Sequence, residues 1–528
     1  MLMKDKFYVT NAIPYVNAKP HIGFALEICQ SDSIARHHRL MGDDTFFMMG
    51  ADENSLKNVQ AAEKAGMKTA DFVAENTKAF EELNHLLNIS NDNFIKTANP
   101  NHFKGAQKFW ESCCKEDVYK KSYKGLYCIG CEEFKKEEEL TQGFCIEHPG
   151  VELEVIEEEN YFFKLSNYQG QLEEIIATDK VKIIPESRKN EVLSFVRMGL
   201  EDFSISRTKE RAKGWGVPVP GDPDHVMYVW FDALTNYITG LGYGEDGELF
   251  KKYWVENDHK LHVIGKGILR FHAVYWLAML LSAKVSLPSE IFVHGYITVD
   301  SQKISKTLGN VIDPADIVKK YGVDATRYYL LRAIPSTADG DFSYSRFDDI
   351  YNSELAGGLG NLVSRVLTMA EKYFNSKVPE VSKDLDSHPL RADENLYTWK
   401  DAYKDRSNAF DDYKLNEALN AVNHFIKTAN KYIDDTKPWV LAKEGKMDEL
   451  AWVLYGLLDS VHQLAWMINP FMPETSIKIA KSLKIEGLLR DRPDHKESFT
   501  NIKPGIKIEK REMLFPRLEN KWEGIHAS

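Results

Sequence analysis

One short motif near the start of the chain combines residue types that bind phosphate. Residues 20–24 read Pro-His-Ile-Gly-Phe, between a strand-like segment at 7–10 and a run with helical spacing. The first turn of a helix offers unpaired N–H groups and the positive end of a dipole to a phosphate. His21 would add a hydrogen-bond donor, and Gly23 would let a nucleotide approach the backbone. His21 as a plain helix cap or core histidine remains the alternative.

A second phosphate-binding motif lies far along the chain, at residues 303–310, which read Lys-Ile-Ser-Lys-Thr-Leu-Gly-Asn. Lys303 and Lys306, three residues apart, would form a basic loop. Such a loop would hold a triphosphate and neutralise the charge that develops as pyrophosphate leaves. A solvated surface loop is the alternative.

Four residues have the spacing of a metal site. Cys128, Cys131, Cys145 and His148 form two close pairs, with thirteen residues between the second and third ligands. This pattern predicts a tetrahedral structural zinc knuckle. A disulfide or a site that has lost its metal are the alternatives. Six cysteines in 528 residues do not form a disulfide framework, so we expect a reducing, cytoplasmic environment.

These motifs need a scaffold, and the hydrophobic pattern suggests one. Strand and helix signals alternate over residues 7–66, return as strand-like segments at 226–230, 261–264 and 291–293, and enclose a Gly-, Cys- and Glu-rich stretch at 119–184. We predict a split, doubly wound parallel α/β sheet of the Rossmann type with a zinc-knuckle insertion. From residue 351 the apolar spacing is helical and predicts an all-α bundle. The expected domains are 1–115 and 226–300 (the two halves of a catalytic domain), 116–225 (insertion), 301–350 (lysine loop and linker) and 351–528 (helical).

The overall charge gives a weaker argument. The chain carries 67 Lys and Arg against 79 Asp and Glu, a net charge of −12. This total argues against an indiscriminate nucleic-acid binder, which needs clustered positive charge. No uncharged stretch approaches the roughly 20 residues of a membrane-spanning helix.

The two phosphate motifs, placed on either side of a split α/β domain, resemble the paired signatures of class I aminoacyl-tRNA synthetases. Further segments resemble the methionyl-tRNA synthetase family, in the same order along the chain. They are Ala-Ile-Pro-Tyr (12–15), Gly-Ala-Asp-Glu (50–53), Ser-Ile-Ser-Arg (204–207), Trp-Gly-Val-Pro-Val-Pro (215–220), Tyr-Val-Trp-Phe-Asp-Ala (228–233), Val-His-Gly-Tyr (293–296) and Leu-Phe-Pro-Arg (514–517).

This resemblance implies ATP-dependent attachment of L-methionine to tRNA(Met) through an adenylate, with Mg²⁺ accompanying ATP. The implied partners are methionine, ATP and tRNA(Met), and a cytoplasmic monomer is expected. The implied site residues fall into three groups: for ATP and catalysis His21, Gly23, Gly265, Lys303 and Lys306; for methionine Ile13, Tyr15, Asp52, Trp230, Ala233, Tyr237 and His272; for the anticodon Asn430. The alternatives are ordinary core positions for the aromatic residues and a helix cap for Asp52. Trp439, which follows Asn430 along the chain, is expected either near the anticodon or as a packing residue after Pro438.

Some positions depart from the family pattern. Phe24 replaces the second histidine of the first motif, Gly267 replaces an aspartate, and Asn54 with Ser55 stands where many relatives have His-Gly. Two other functions are therefore considered. One is a different class I synthetase, although an insertion of roughly 100 residues is too small for the editing domain of the branched-chain enzymes. The other is a non-catalytic, zinc-bearing RNA-binding relative.

Overall fold

A computed structural model describes residues 5–128, 133–135, 140–141, 143–146, 150, 152–303, 311–490, 500–509 and 512–519. Its centre is a six-stranded sheet. The strands are β1 Lys6–Asn11, β2 Asp44–Ala51, β3 Asn93–Lys96, β4 Lys182–Ile184, β5 Lys260–Gly265 and β6 Glu290–His294.

The strand order is β3-β2-β1-β5-β6-β4, and every neighbouring pair is parallel. Successive strands are added towards one edge of the sheet from β1 and towards the other edge from β5, so the strand order reverses between these two strands. In a sheet of this kind, the carboxyl ends of the strands on either side of the reversal border a crevice that binds ligands. The predicted parallel α/β sheet is confirmed.

The segment expected as an insertion also supplies β4, the edge strand of the main sheet. Its described residues also form three antiparallel sheets. The first contains strands Val118–Cys128, Glu133–Lys135, Glu154–Phe163 and Phe203–Ser204, the second contains Leu140–Thr141 and Phe144–Cys145, and the third contains Ser206–Thr208, Pro218–Val219 and Asp222–Met227.

The prediction of a parallel-sheet strand at residues 226–230 is wrong. The strand there ends at Met227 in the small antiparallel sheet, and a helix begins at Val229. The apolar residues Trp230, Ala233 and Tyr237 follow helical spacing, which the short apolar run concealed.

Helices cover both faces of the main sheet. Five of them position the site: α1 Ile22–Met41, α2 Leu56–Lys64, α3 Thr69–Leu86, α4 Pro100–Ser112 and α5 Val229–Thr239. Other helical segments up to residue 350 include Gln169–Ala177, Glu186–Arg197, Glu248–Phe250 continuing into the π-helix Lys251–Val255, the π-helix Phe271–Trp276 continuing into Leu277–Ser282, Pro314–Tyr321, Val323–Ala333 and Tyr344–Ile350.

The region after residue 350 is helical, as predicted. A π-helix, Tyr351–Gly360, leads into α6 Asn361–Phe374, and α7 Leu415–Thr436 is followed at once by α8 Pro438–Lys443. The remaining helices are Pro389–Ala392, Trp399–Asp411, Met447–Ile468 and Pro473–Leu483. None of the helices in the described ranges is both long and apolar enough to cross a membrane.

The hydrophobic core continues from the sheet into the helical bundle. Phe7 and Val9 of β1 belong to the same cluster of buried residues as Trp466, whereas Tyr8 points to a second cluster on the other face. Arg327 reinforces the joint, because it forms a fully buried ion pair of 2.6 Å with Asp32 of α1 and also donates to the carbonyls of Pro470 and Phe471. Burial alone would raise the pKa of Asp32, but Arg36 and Arg327 hold it well below its usual range.

Candidate active site

His21 caps the first turn of α1 beside the crevice. Its Nδ1 accepts a hydrogen bond of 3.0 Å from the backbone N–H of Gly23. A Cβ at residue 23 would lie 2.8 Å from the His21 ring, so only glycine allows the ring to fold back in this way. Because Nδ1 accepts, the proton of the neutral ring lies on Nε2, which can donate to a ligand. Desolvation lowers the pKa of His21, which favours this neutral form.

The residues just after the lysine loop contact the start of this helix. Lys303 ends a two-residue strand that pairs with the strand Ile297–Val299, just after β6, and the carbonyl of Ile312 accepts a bond of 3.3 Å from the N–H of Ile22. For Lys303 the structure describes the backbone alone, and Lys306 lies outside the described residues. The described backbone just after the loop therefore lies against the start of α1, next to the first phosphate motif.

Asp52 lies at the carboxyl end of β2, where its backbone forms a parallel bridge with Tyr15 beyond the end of β1. The residue is buried, and its Oδ1 accepts a bond of 3.1 Å from the N–H of Asn54. The cap of α2 is Ser55, whose hydroxyl accepts from the N–H of Asn58. Asp52 is therefore not the cap of that helix, and its carboxylate suits an ammonium group.

Aromatic residues form the wall beside Asp52. Trp230, Ala233 and Tyr237 lie on one face of α5, and the ring centroids of Trp230 and Tyr15 are 6.4 Å apart, edge to face. Trp230 also stacks on Phe271 at 3.8 Å, a neighbour that the sequence reasoning missed. Ile13 packs against β2, since its Cγ2 lies 2.9 Å from where a Cβ on Gly50 would be.

His272 is held as a neutral ring at the base of this wall. Its Nδ1 donates to the carbonyl of Ile268 at 2.9 Å, and its Nε2 accepts from the hydroxyl of Tyr237 at 2.7 Å. Burial lowers the pKa of His272 to about 4. The arrangement keeps charge away from the wall, as binding of an apolar side chain requires.

The departures from the family pattern have structural counterparts. Phe24 is buried and packs edge to face on Phe80 of α3, with 5.1 Å between the ring centroids. Gly265 ends β5 beside His294. At Gly267 a Cβ would collide with the hydroxyl of Tyr296, so the tyrosine occupies the space of an aspartate side chain.

The predicted zinc ligands are described only in part. Cys128 ends the strand Val118–Cys128 and Cys145 lies on the strand Phe144–Cys145; both are buried and neither forms a disulfide. Cys131 and His148 lie outside the described residues. Among the residues that are described, no three His, Cys, Asp or Glu side chains form a metal-binding group.

Asn430 of α7 uses its amide within the protein. Its Nδ2 faces the carbonyls of Ile426 and Gly358, and its Oδ1 accepts from Asn361 at 3.1 Å. Asn361, at the start of α6, is exposed. Trp439, for which packing was an alternative, is 45% exposed. Sequence reasoning missed Asn361, because its signal is visible only once α6 and α7 are side by side.

Comparison with known proteins identifies the family of the chain. The family described as "tRNA synthetases class I (M)" matches residues 7–367, and the "Anticodon binding domain of methionyl tRNA ligase" matches residues 389–524.

Individual relatives match over nearly the whole chain. The methionine--tRNA ligase of Thermotoga maritima is 43% identical over 98% of this chain and 81% of its own length, and that of Brucella suis is 39% identical over 95% of each. The Mycobacterium tuberculosis methionyl-tRNA synthetase solved in complex with methionyl-adenylate superposes with a TM-score of 0.90 at 39% identity, covering 97% of this chain and all of that one. The chain thus belongs to the methionyl-tRNA synthetases, a family of class I aminoacyl-tRNA synthetases.

Proposed function

We propose that this chain attaches L-methionine to tRNA(Met) at the expense of ATP, through a methionyl-adenylate intermediate. The observation that carries the proposal is the crevice between β1 and β5, which has His21 on one side and Asp52 with its aromatic wall on the other. A side chain that donates a hydrogen bond to phosphate and a carboxylate that accepts one from an ammonium group border the same crevice. This combination suits a reaction that joins an amino acid to a nucleotide.

Methionine would bind with its ammonium on Asp52 and its side chain against Trp230, Ala233, Tyr237 and His272, enclosed by Ile13 and Tyr15. A flexible thioether makes favourable contacts with aromatic rings. Neutral His272, fixed by Ile268 and Tyr237, presents no charge to it.

In the first step, a carboxylate oxygen of methionine attacks the α-phosphorus of ATP, and the bond to the β-phosphate breaks. Nε2 of His21 would donate to a phosphate oxygen, Gly23 and Gly265 would allow the nucleotide to approach, and Lys303 and Lys306 would neutralise the leaving pyrophosphate. Mg²⁺, arriving with ATP, would screen the same charge. In the second step, a hydroxyl of the terminal tRNA ribose attacks the carbonyl carbon and AMP leaves.

The anticodon surface would be built on α6, α7 and α8. Arg365 of α6 pairs with Asp434 of α7 at 2.6 Å, and Trp439 of α8, five residues further along the chain, is 45% exposed. RNA is read in single strands by stacking on aromatic rings and by hydrogen bonds. We propose that Trp439 stacks on an anticodon base and that Asn361 bonds to a base edge, with Asn430 holding Asn361 in place.

A structural zinc ion fits the insertion. The buried thiols of Cys128, at the end of the strand Val118–Cys128, and of Cys145, on the strand Phe144–Cys145, are the soft donors that zinc prefers. Cys128, Cys131, Cys145 and His148 would hold the ion, which would brace the insertion and take no part in the chemistry. The cytoplasmic location, the monomeric state and the domain boundaries stay predictions.

The reaction is tested by ATP–pyrophosphate exchange, measured with each common amino acid in turn. We expect exchange with methionine. Exchange with leucine or cysteine and none with methionine would refute the pocket, and no exchange with any amino acid would favour the non-catalytic relative.

The knuckle is tested by metal analysis, which should find about one zinc per chain. Cys145→Ser should abolish the bound zinc, because a tetrahedral site with three ligands holds the ion weakly. Cys114→Ser is the matched control, since this exposed cysteine lies outside the motif and should leave the zinc content unchanged. Metal-free wild-type protein would contradict the assignment.

A further inference from the structure

A chain of buried hydrogen bonds runs behind the proposed methionine site. It begins at Asn54, whose backbone N–H donates to the Asp52 carboxylate at 3.1 Å. The Asn54 side chain turns the other way, and its Nδ2 donates to Asp232 Oδ2 at 2.8 Å and to the carbonyl of Thr97 at 2.9 Å. Both partners are acceptors, so the orientation of the amide is settled.

The chain continues from Asp232 to a histidine on another helix. Asp232 Oδ1 lies 2.5 Å from Nε2 of His102 on α4, and His102 Nδ1 lies 2.7 Å from the hydroxyl of Thr239, the last residue of α5. A carboxylate only accepts, so the His102 proton lies on Nε2. All four side chains are buried.

The burial makes each link necessary. Asp232 is 1% exposed, and an ionised carboxylate at such a depth must have its oxygens paired. Asn54 and His102 each take one oxygen, and Asp232 also lies in the first turn of α5, where the helix dipole favours a negative charge. Removing either partner leaves a buried charge half satisfied.

The two ends of this chain are the two halves of the methionine site. Asp52, at the end of β2, is the proposed ammonium acceptor, while α5 carries Trp230, Ala233 and Tyr237. Asn54 joins the two halves, because its backbone bonds to Asp52 and its side chain bonds to Asp232, which lies between Trp230 and Ala233 on α5.

We propose that Asn54 is a positioning residue for amino-acid recognition. Its backbone orients the Asp52 carboxylate, and its side chain ties that segment to α5 through Asp232, so this asparagine contributes to the distance between the ammonium site and the side-chain wall. This inference rests on the proposed methionine site. It also gives a role to a position at which the chain departs from the His-Gly of many relatives, since an imidazole N–H can donate to Asp232 as the amide does.

The test is Asn54→Ala, assayed by pyrophosphate exchange. The backbone N–H remains but its tether is lost, so the KM for methionine should rise about tenfold while the KM for ATP stays within about twofold. Inhibition by 4-(methylthio)butanoate, which is methionine without its amino group, should change by less than about twofold, because this compound makes no contact with Asp52. Asn54→His should restore the KM for methionine to within about threefold of the wild type.

Two further variants make the result decisive. Asn257→Ala removes an equally buried asparagine whose amide bonds two backbone carbonyls just before β5, and it should change stability without changing either KM. If Asn54→Ala does not fold, Asp232→Asn keeps the volume but turns an NH₂ group towards one of the two donors, and it should show the same split in KM.

Three results would overturn the inference: an unchanged KM for methionine, equal weakening of methionine and its deaminated analogue, or no rescue by histidine. Each is distinct from failure of the proposed function, which would appear as wild-type protein without methionine-dependent exchange.

Discussion

His21→Asn is expected to slow methionine-dependent pyrophosphate exchange about 100-fold without destabilising the protein. Asparagine is among the best residues for a helix N-cap, so it replaces the bond that His21 Nδ1 accepts from the N–H of Gly23. It is too short to place a second donor where Nε2 of the imidazole reaches. The substitution therefore separates the capping role of His21 from its role towards phosphate.

The measurement is the exchange rate at saturating ATP and methionine, together with a thermal unfolding midpoint. The control is His38→Asn on the same helix, where the imidazole pairs with Asp43 at 2.7 Å, far from the crevice, and where the rate should not change. If His21→Asn exchanges within about threefold of the wild type, His21 is a cap and no more.

Trp439→Ala is expected to lower kcat/KM for tRNA about 10- to 100-fold, because stacking of a base on an aromatic ring contributes about 1–3 kcal/mol. Pyrophosphate exchange, which needs no tRNA, should stay at the wild-type rate. Trp439 is 45% exposed, so its removal opens no cavity.

The comparison is Met447→Ala, a similarly exposed apolar residue at the start of the next helix, at 43% exposure. Its aminoacylation rate should be unchanged. Equal losses in aminoacylation and exchange for Trp439→Ala would point to a folding defect, and unchanged tRNA kinetics would remove Trp439 from the anticodon surface.

The sequence predicted those parts of the fold that have a local signal. β1, β5 and β6 are apolar runs of usual strand length, and α1 shows its buried stripe of Ile22, Ala25, Leu26 and Cys29. Two elements could not be predicted correctly. β4 has three residues, too few to show any periodicity, and the start of α5 is a short apolar run that fits a strand as well as a helix.

The residues of the candidate site also differ in whether the sequence could predict them. Motif residues such as His21 and Asp52 could be assigned from the resemblance alone. The link from Asn54 to Asp232 and His102 could not, because it joins positions 178 and 130 residues apart and leaves no mark in the local pattern. The contact of Phe271 with Trp230 could not be predicted for the same reason, since only the packing of the folded chain brings the two rings together.

The core shared by the sheet and the helical bundle has a consequence for substrate choice. Phe7 and Trp466 lie in one packed cluster, and Arg327, paired with Asp32 of α1, also donates to the carbonyls of Pro470 and Phe471, so the crevice and the proposed anticodon surface are held at one separation. An RNA with the right anticodon but a different distance between its two ends would then reach only one of the two places. Selection would depend on the fold of the tRNA as well as on its bases.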